Sequence, residues 1–183
     1  MTMDLHQLPP PMPKDPHYVP PERDPNRPGP HIVAEIMPLE GQLKAGYVQG
    51  FNVRCDESER VGGMDSAPSP LGYFTVAVGF CLATQLVQVA RALHIEPKNL
   101  RIKVTARYSR TGSVLAGDVQ TMCDSIHTEL SLDSEEPPER LAKLITMAEA
   151  TCFTMAALRN PASVALEATV NGQPFNPAMT GSG

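Results

Sequence analysis

The stretch that decides the fold is residues 69–93, SPLGYFTVAVGFCLATQLVQVARAL. Ser69 is a favoured N-cap residue and Pro70 suits the first helical position, so the pattern predicts a helix that begins there. Apolar side chains occupy nearly all sides of this helix, which indicates a central, buried element. Polar interruptions such as Thr84 and Arg91 favour a buried helix over a membrane span.

The segment before this helix predicts two β-strands that form a hairpin. Residues 31–37 and 44–55 are both rich in residues that favour strands, and Pro38-Leu39-Glu40-Gly41 lies between them as a turn. A polar loop over residues 56–67 then leads into the helix. This loop contains the pair Gly62-Gly63.

The segment after the helix predicts further strands and helices in alternation. In residues 100–109 apolar and polar side chains alternate strictly, which is typical of a strand with one face on a core. The other expected elements are a strand at 119–132, a helix beginning at 134–139, a break at 149–151, a short helix to Leu158 and a strand at 164–170. The order ββ–α–ββ–αα–β indicates the α+β class. The first helix is too apolar for one small sheet to cover, so we expect an obligate homodimer with a shared core.

Proline divides the chain into an appendage and a domain. Ten of the nineteen prolines lie in residues 1–30, where they exclude a helix or sheet interior. We expect this region to be a disordered tail or an extended arm that lies on another surface, in preference to a ligand for a partner domain. The main domain is expected at residues 31–175, and residues 176–183 should form a loose tail.

The charge and composition exclude several classes of function. Lys and Arg number 15 and Asp and Glu number 20, so the net charge is 15 − 20 = −5. Because phosphate neutralisation requires clustered positive charge, we expect no nucleic-acid partner. The N-terminal sequence lacks the basic and apolar regions of a secretory signal, so a cytoplasmic location without a membrane is expected.

Four cysteines are the candidate reactive groups. No pair has CxxC spacing and no Cys/His cluster has the spacing of a zinc site, so neither a metal nor a cofactor is expected. Cys55 and Cys123 lie in predicted strands and are interpreted as buried thiols without a chemical role. Cys81 lies within the first helix, and Cys152 lies where a helix is expected to start.

Two motifs resemble the OsmC/Ohr family. Ser69-Pro70-Leu71-Gly72-Tyr73-Phe74 followed by Gly79-Phe80-Cys81-Leu82 resembles the central-helix motif of that family, in which an apolar helix carries a cysteine. Ala148-Glu149-Ala150-Thr151-Cys152 resembles the second motif, in which a cysteine opens the last helix. Gly62-Gly63 fits the glycine pair before the first helix. The order of elements from about residue 31 to 172 also matches.

The resemblance implies both a fold and a chemistry. The fold is an intertwined homodimer in which antiparallel sheets wrap two long central helices. The chemistry is the reduction of organic hydroperoxides: Cys81 would be the peroxidatic cysteine and Cys152 the resolving cysteine, at the dimer interface. A dithiol reductant, often lipoyl-based in the family, would restore both thiols.

The residues themselves set a condition for this chemistry. Only about 3% of an unperturbed thiol is ionised at pH 7, and the thiolate is the nucleophile. Cys152 can be activated by a helix N-terminus, whereas Cys81 is expected to lack free backbone amides and to need a cation. Leu71 stands where the resemblance places an activating glutamate. The candidate cations are Lys44, which is closest to the expected arginine, together with Arg54 and Arg60.

Two functions stay open from the sequence. The first is a thiol-dependent peroxidase that uses Cys81 and Cys152. The second is a dimer of the same fold that binds a small apolar ligand at the subunit interface and has no peroxidase activity. They differ in whether the two sulfurs lie within reach of each other, and in whether Cys81 is activated.

Overall fold

The structure is a computed structural model that describes residues 10–22, 24–26, 29–160 and 162–176. The chain divides into two compact units, residues 1–76 and 77–183. The first nine residues of the expected arm lie outside the described residues, as does the expected tail from residue 177 onward.

The first unit contains a three-stranded antiparallel sheet. Its strands are β1 (Ala34–Pro38), β2 (Lys44–Val48) and β3 (Phe51–Cys55), in that order. The prediction of one strand over residues 44–55 is therefore wrong. Gln49 and Gly50 have φ values of 52° and 87°, and two consecutive positive φ values reverse the chain in the manner of a tight hairpin turn.

Part of the proline-rich region lies on this sheet. Lys14 forms a β-bridge with Phe51, and the backbone N–H of Asp15 donates to the carbonyl oxygen of Gly50 at 2.7 Å. The hydroxyl of Tyr47 donates to the Asp15 carboxylate at 2.9 Å, and Tyr18 packs edge-on against Tyr47. These contacts hold the described segment on the β2–β3 hairpin.

The central helix α1 (Pro70–Ala92) begins as the sequence predicts. The hydroxyl oxygen of Ser69 accepts the N–H of Gly72 at 3.2 Å, which satisfies one of the free amides of the first turn. Within the second unit, the helix buries one stripe of side chains spaced three or four residues apart: Val78, Leu82, Leu86 and Val89.

The opposite side of α1 is not covered by the part of the chain that the structure describes. Val76, Phe80 and Val87 are 41%, 68% and 58% exposed. The expectation of burial on all sides therefore does not hold for a single chain. By length and composition α1 could cross a membrane, but its buried stripe packs it as the core helix of the second unit.

The second unit packs a long β-hairpin and two helices with α1. Strands β4 (Lys98–Thr111) and β5 (Gln120–Asp133) pair antiparallel, as predicted. Helices α2 (Pro138–Ala150) and α3 (Phe153–Arg159) follow. The core comprises Val78, Leu82, Leu86, Val89, Ala90, Ile95, Leu144, Ala148, Cys152 and Met155.

The last predicted strand is placed differently by the structure. Residues 164–167 are not in a strand; β6 (Ala168–Val170) pairs instead with β7 (Gln173–Phe175). Asn171 and Gly172 have positive φ values and form the turn between them. Val164 and Leu166 continue the apolar alternation, which is why the predicted strand began too early. Both side chains are exposed in the structure.

Candidate functional site

Cys81 lies in the middle of α1 and belongs to the second unit. Its side chain is partly buried and packs against the hydrophobic core of that unit. The sulfur is therefore shielded from bulk water on one side. Since burial favours the neutral thiol, activation of Cys81 requires hydrogen bonds or charge from its surroundings.

Cys152 lies at the bend between α2 and α3. The two helix axes differ by 66°, and Cys152 is the N-cap residue of α3, with its carbonyl oxygen accepting the N–H of Ala156 at 2.9 Å. The hydroxyl of Thr151 donates to the carbonyl of Met147 at 2.8 Å and helps to end α2. The bend turns Cys152 into the core, where it is 1% exposed. The predicted break and helix start are thus confirmed.

The bend brings the two thiols together within one chain. Cys152 is part of the core of the second unit, and Cys81 packs against that core. The hydroxyl oxygen of Thr154 lies 3.2 Å from the Cys152 sulfur. Two cysteines that are 71 residues apart in sequence therefore lie in one cluster.

The electrostatics of this cluster lower the pKa of the Cys81 thiol. Burial raises the pKa of the Cys81 thiol, but four hydrogen bonds oppose burial and together hold that pKa below its ordinary value. The donors, from the largest contribution to the smallest, are the Thr154 N–H, the Cys152 thiol, the Thr154 hydroxyl and the Phe153 N–H. Hydrogen bonds to the charged form stabilise it.

This arrangement corrects one expectation from the sequence. The mid-helix position of Cys81 predicts that no backbone amide assists it, yet hydrogen bonding by the Thr154 and Phe153 N–H groups of α3 lowers its pKa. The start of α3 therefore acts on a cysteine of another helix, which the order of residues in the sequence does not indicate.

The expected cations all lie in the first unit and remain predictions. Lys44 begins β2, and its ammonium group donates to the carbonyl of Gln42 at 2.5 Å. Arg54 lies on β3, where its carbonyl accepts the hydroxyl of Tyr73 at 2.5 Å. Arg60 is exposed in a short 3₁₀ helix.

The remaining cysteines have different environments. Cys55 is partly buried at the end of β3. Cys123 was expected to be a buried thiol, which is wrong, because the first six residues of β5 are all exposed. Neither cysteine takes part in the Cys81–Cys152 cluster described above.

Asp56 is a buried charged residue that the sequence analysis did not single out. Its side chain is completely buried, and its carboxylate accepts the N–H of Glu57 at 2.8 Å and the N–H groups of Met64 and Ser66 at 3.1 Å each. The Ser66 hydroxyl adds a fourth hydrogen bond at 2.8 Å. The carboxylate thus organises the loop that leads into α1.

Gly63 is required by the same loop. A Cβ at this position would lie 1.8 Å from the carbonyl oxygen of Glu57 and 2.9 Å from the Asp56 carboxylate. Only glycine allows the backbone to approach this closely. The sequence offered a weak indication in the pair Gly62-Gly63, but nothing in it showed that the loop closes around Asp56.

The region from Gly63 onward is also the part of the chain that matches a family model. That model describes the OsmC-like protein and matches residues 63–167, which is more than half of the chain and includes both members of the thiol cluster. The chain belongs to the OsmC-like protein family. No curated protein sequence matches it at a significant level.

Solved structures share the OsmC-like fold at low sequence identity. An OsmC-like hydroperoxide resistance protein from Jannaschia sp. CCS1 is 19% identical with a TM-score of 0.55, covering 79% of this chain and 96% of its own. An OsmC-like protein from Mycoplasma pneumoniae is 15% identical with a TM-score of 0.60, covering 72% and 89%. An organic hydroperoxide resistance protein from Legionella pneumophila is 14% identical with a TM-score of 0.53, covering 71% and 90%. The α+β class and the family resemblance are therefore confirmed.

An apolar cavity in the first unit of this OsmC-like chain bears on ligand binding. Its volume is about 260 Å³. The lining residues are Ile36, Lys44, Ala45, Gly46, Val53, Cys55, Pro70 and Tyr73. A cavity of this kind is compatible with the second function, which is the binding of a small apolar ligand.

The lowered pKa of Cys81 leads to a direct prediction. Because alkylating reagents attack the thiolate, the pH midpoint for reaction of Cys81 with iodoacetamide should be lower in the native protein than in the urea-unfolded chain. Site-resolved mass spectrometry of the reduced protein across a pH series measures both midpoints. A native midpoint equal to or above the unfolded one would contradict the activation of Cys81.

Proposed function

We propose that this OsmC-like protein reduces organic hydroperoxides through Cys81 and Cys152. The observation that carries the proposal is the packing of the two cysteines in one core within a single chain, and the lowering of the Cys81 pKa below its ordinary value supports it. A low-pKa thiol beside a second thiol is the arrangement of redox-active cysteines that cycle through a disulfide.

In the first step, Cys81 is the nucleophile. Its thiolate attacks one oxygen of the hydroperoxide, so that a sulfur–oxygen bond forms and the oxygen–oxygen bond breaks. The alkoxide takes up a proton and leaves as an alcohol, while Cys81 becomes a sulfenic acid. The hydroperoxide is reduced by two electrons and the sulfur is oxidised by two.

In the second step, Cys152 resolves the sulfenic acid. Its sulfur attacks the Cys81 sulfur, a disulfide forms, and the hydroxyl group leaves as water with the proton of Cys152. A dithiol reductant, such as a lipoyl group, then returns two electrons and two protons to the pair. No bound cofactor or metal is needed for this cycle.

A homodimer is part of the proposal. Members of the family are generally dimeric. The exposed apolar side of α1 (Val76, Phe80 and Val87) would become buried against a second copy, which supports a shared core. We place the protein in the cytoplasm, where reduced thiols are maintained.

The proposal predicts that the pair oxidises as a unit. Treatment of the reduced protein with about one equivalent of cumene hydroperoxide should join Cys81 and Cys152 in a disulfide, whose peptides mass spectrometry identifies. Added dihydrolipoamide should restore both thiols. If both sulfurs stay reduced in excess hydroperoxide, the peroxidase proposal is wrong and apolar ligand binding is the function to pursue.

A further inference from the structure

The apolar cavity of the first unit has a charged residue in its wall. The cavity has a volume of about 260 Å³, and Lys44 is the charged member of its lining. Lys44 begins β2 and pairs directly with Cys55 on β3. Gly46 of β2 lies between Ile36 on β1 and Val53 on β3. Because paired residues, and residues two apart in a strand, face the same side of a sheet, these five positions form one floor.

Local structure keeps this cavity open. A Cβ at position 46 would lie 3.0 Å from the Cγ2 atom of Val53, so glycine leaves room on the floor that a side chain would fill. Pro70 and Tyr73 line the cavity from the start of α1. The hydroxyl of Tyr73 donates to the carbonyl of Arg54 at 2.5 Å and ties this wall to β3. The site is therefore pre-formed, as ligand sites usually are.

The ammonium group of Lys44 has no anionic partner among the residues that the structure describes. It donates to the backbone carbonyl of Gln42 at 2.5 Å and lies 3.5 Å from the side-chain oxygen of the same residue. The ion pairs of the described residues join other side chains. An ammonium group has three protons to donate. One donor and the whole positive charge of Lys44 are therefore available to a ligand.

We propose that this cavity binds a small aliphatic monocarboxylate, with its chain on the apolar floor and its carboxylate on Lys44. A single ammonium in an otherwise uncharged lining matches a single negative charge, and a second one would be left unpaired. The volume sets the length of the chain. Since a water-sized group takes about 30 Å³ in a liquid, a cavity of about 260 Å³ has room for roughly nine such groups. An acid of about eight carbons has this size.

This site is separate from the thiol pair and does not rest on the proposed peroxidase function. Its lining residues belong to the first unit, whereas Cys81 and Cys152 belong to the second. It also differs from a site for an apolar ligand at a subunit interface, because its walls come from one chain and its ligand carries an acid. Loss of hydroperoxide turnover and loss of carboxylate binding are therefore independent results.

The test is calorimetric titration of the full chain with octanoate and with octan-1-ol, which has the same chain without the charge. We expect octanoate to bind at least about tenfold more tightly than octan-1-ol. Lys44→Met removes the charge and keeps an unbranched side chain, so octanoate should bind about tenfold more weakly while octan-1-ol is unaffected. Lys44→Arg keeps the charge and should stay within about threefold of the parent.

Two pairs of variants locate the site. Cys55→Leu places a larger side chain in the cavity and should shift the preference from octanoate to hexanoate. Its matched control is Cys123→Leu, because Cys123 is exposed on β5 of the second unit. Lys143 is exposed on α2, and Lys143→Met is the control for the loss of a lysine. Circular dichroism checks the folding of each variant, and Lys44→Gln replaces Lys44→Met if the latter is unfolded.

Any of three results would overturn the inference. The first is the absence of octanoate binding to the parent protein at millimolar concentration. The second is parent affinity for octanoate in the folded Lys44→Met or Lys44→Gln variant, which would place the acid on another surface, such as the exposed apolar side of α1. The third is a preference for chain length that Cys55→Leu leaves unchanged.

Discussion

Cys81→Ser is expected to abolish dithiol-dependent consumption of organic hydroperoxide, with a loss of at least about a hundredfold. The serine hydroxyl is not ionised near neutral pH, so the donors from α3 would have no thiolate to stabilise. Cys152→Ser should behave differently, because Cys81 can still be oxidised once. We expect consumption of about one equivalent of hydroperoxide, after which a sulfenic acid accumulates at Cys81.

Two measurements separate these outcomes. Steady-state consumption of cumene hydroperoxide with dihydrolipoamide gives the loss of turnover, and labelling with dimedone detects the sulfenic acid in Cys152→Ser. Cys55→Ser and Cys123→Ser are matched controls that change the same kind of residue elsewhere, and both should keep the parent rate. Full turnover in Cys81→Ser, or loss of turnover in either control, would show that the wrong cysteine has been assigned.

Asp56→Ala is expected to have the largest effect on stability, lowering Tm by roughly 5 to 10 °C. Three backbone N–H groups and the Ser66 hydroxyl would lose the buried carboxylate that accepts their hydrogen bonds. Asp56→Asn should lie between the alanine variant and the parent, since its amide keeps one acceptor oxygen but turns an NH₂ group toward N–H donors. Thermal unfolding followed by circular dichroism measures both.

The stabilisation from Asp56 should also depend on pH. The hydrogen bond from the Ser66 N–H has the largest effect on the pKa of the Asp56 carboxyl, and it lowers that pKa. Burial raises the pKa, and the other hydrogen bonds lower it further, so that it falls from 3.8 to about 2. A folded-state pKa below the unfolded value means that the stabilisation is complete above about pH 4 and disappears as pH falls toward 2. The difference in Tm between the parent and Asp56→Asn should become smaller as the pH falls from about 4 toward 2.

A control lies in the same loop. Asp65 is exposed and has a φ of 51°, a conformation that asparagine also adopts readily. Asp65→Asn should leave Tm close to that of the parent across the acid series. A constant difference between Asp56→Asn and the parent down to pH 2 would show that the Asp56 carboxylate is not the group that stabilises the loop.

Local patterns in the sequence were sufficient for several elements. Ser69 and Pro70 marked the start of α1 because capping depends on residues that are adjacent in the chain. Strict alternation located β4, and the break before Cys152 located the start of α3, because both depend on short-range periodicity. The motifs around Cys81 and Cys152 indicated the family, which the match over residues 63–167 confirms.

The sequence was less informative where neighbours came from elsewhere in the chain. The turn at Gln49-Gly50 divides a segment that was predicted as one strand. The pattern of apolar residues fits one long strand and two short strands equally well, and the pairing of β2 with β1 and β3 distinguishes them. The burial of Asp56 depends on donors eight and ten residues away that meet only when the loop closes. Nothing local to Asp56 distinguishes it from a solvated loop residue.

The sequence by itself determined the central helix, the α+β class and the family. Only the tertiary structure decided which groups act on Cys81. The sequence predicts that Cys81 needs a cation, whereas in the folded chain hydrogen bonding by the Phe153 and Thr154 N–H groups lowers its pKa. A hydrogen bond depends on distances of a few ångströms between atoms, and packing of α3 beside α1 sets those distances across residues that are remote in sequence.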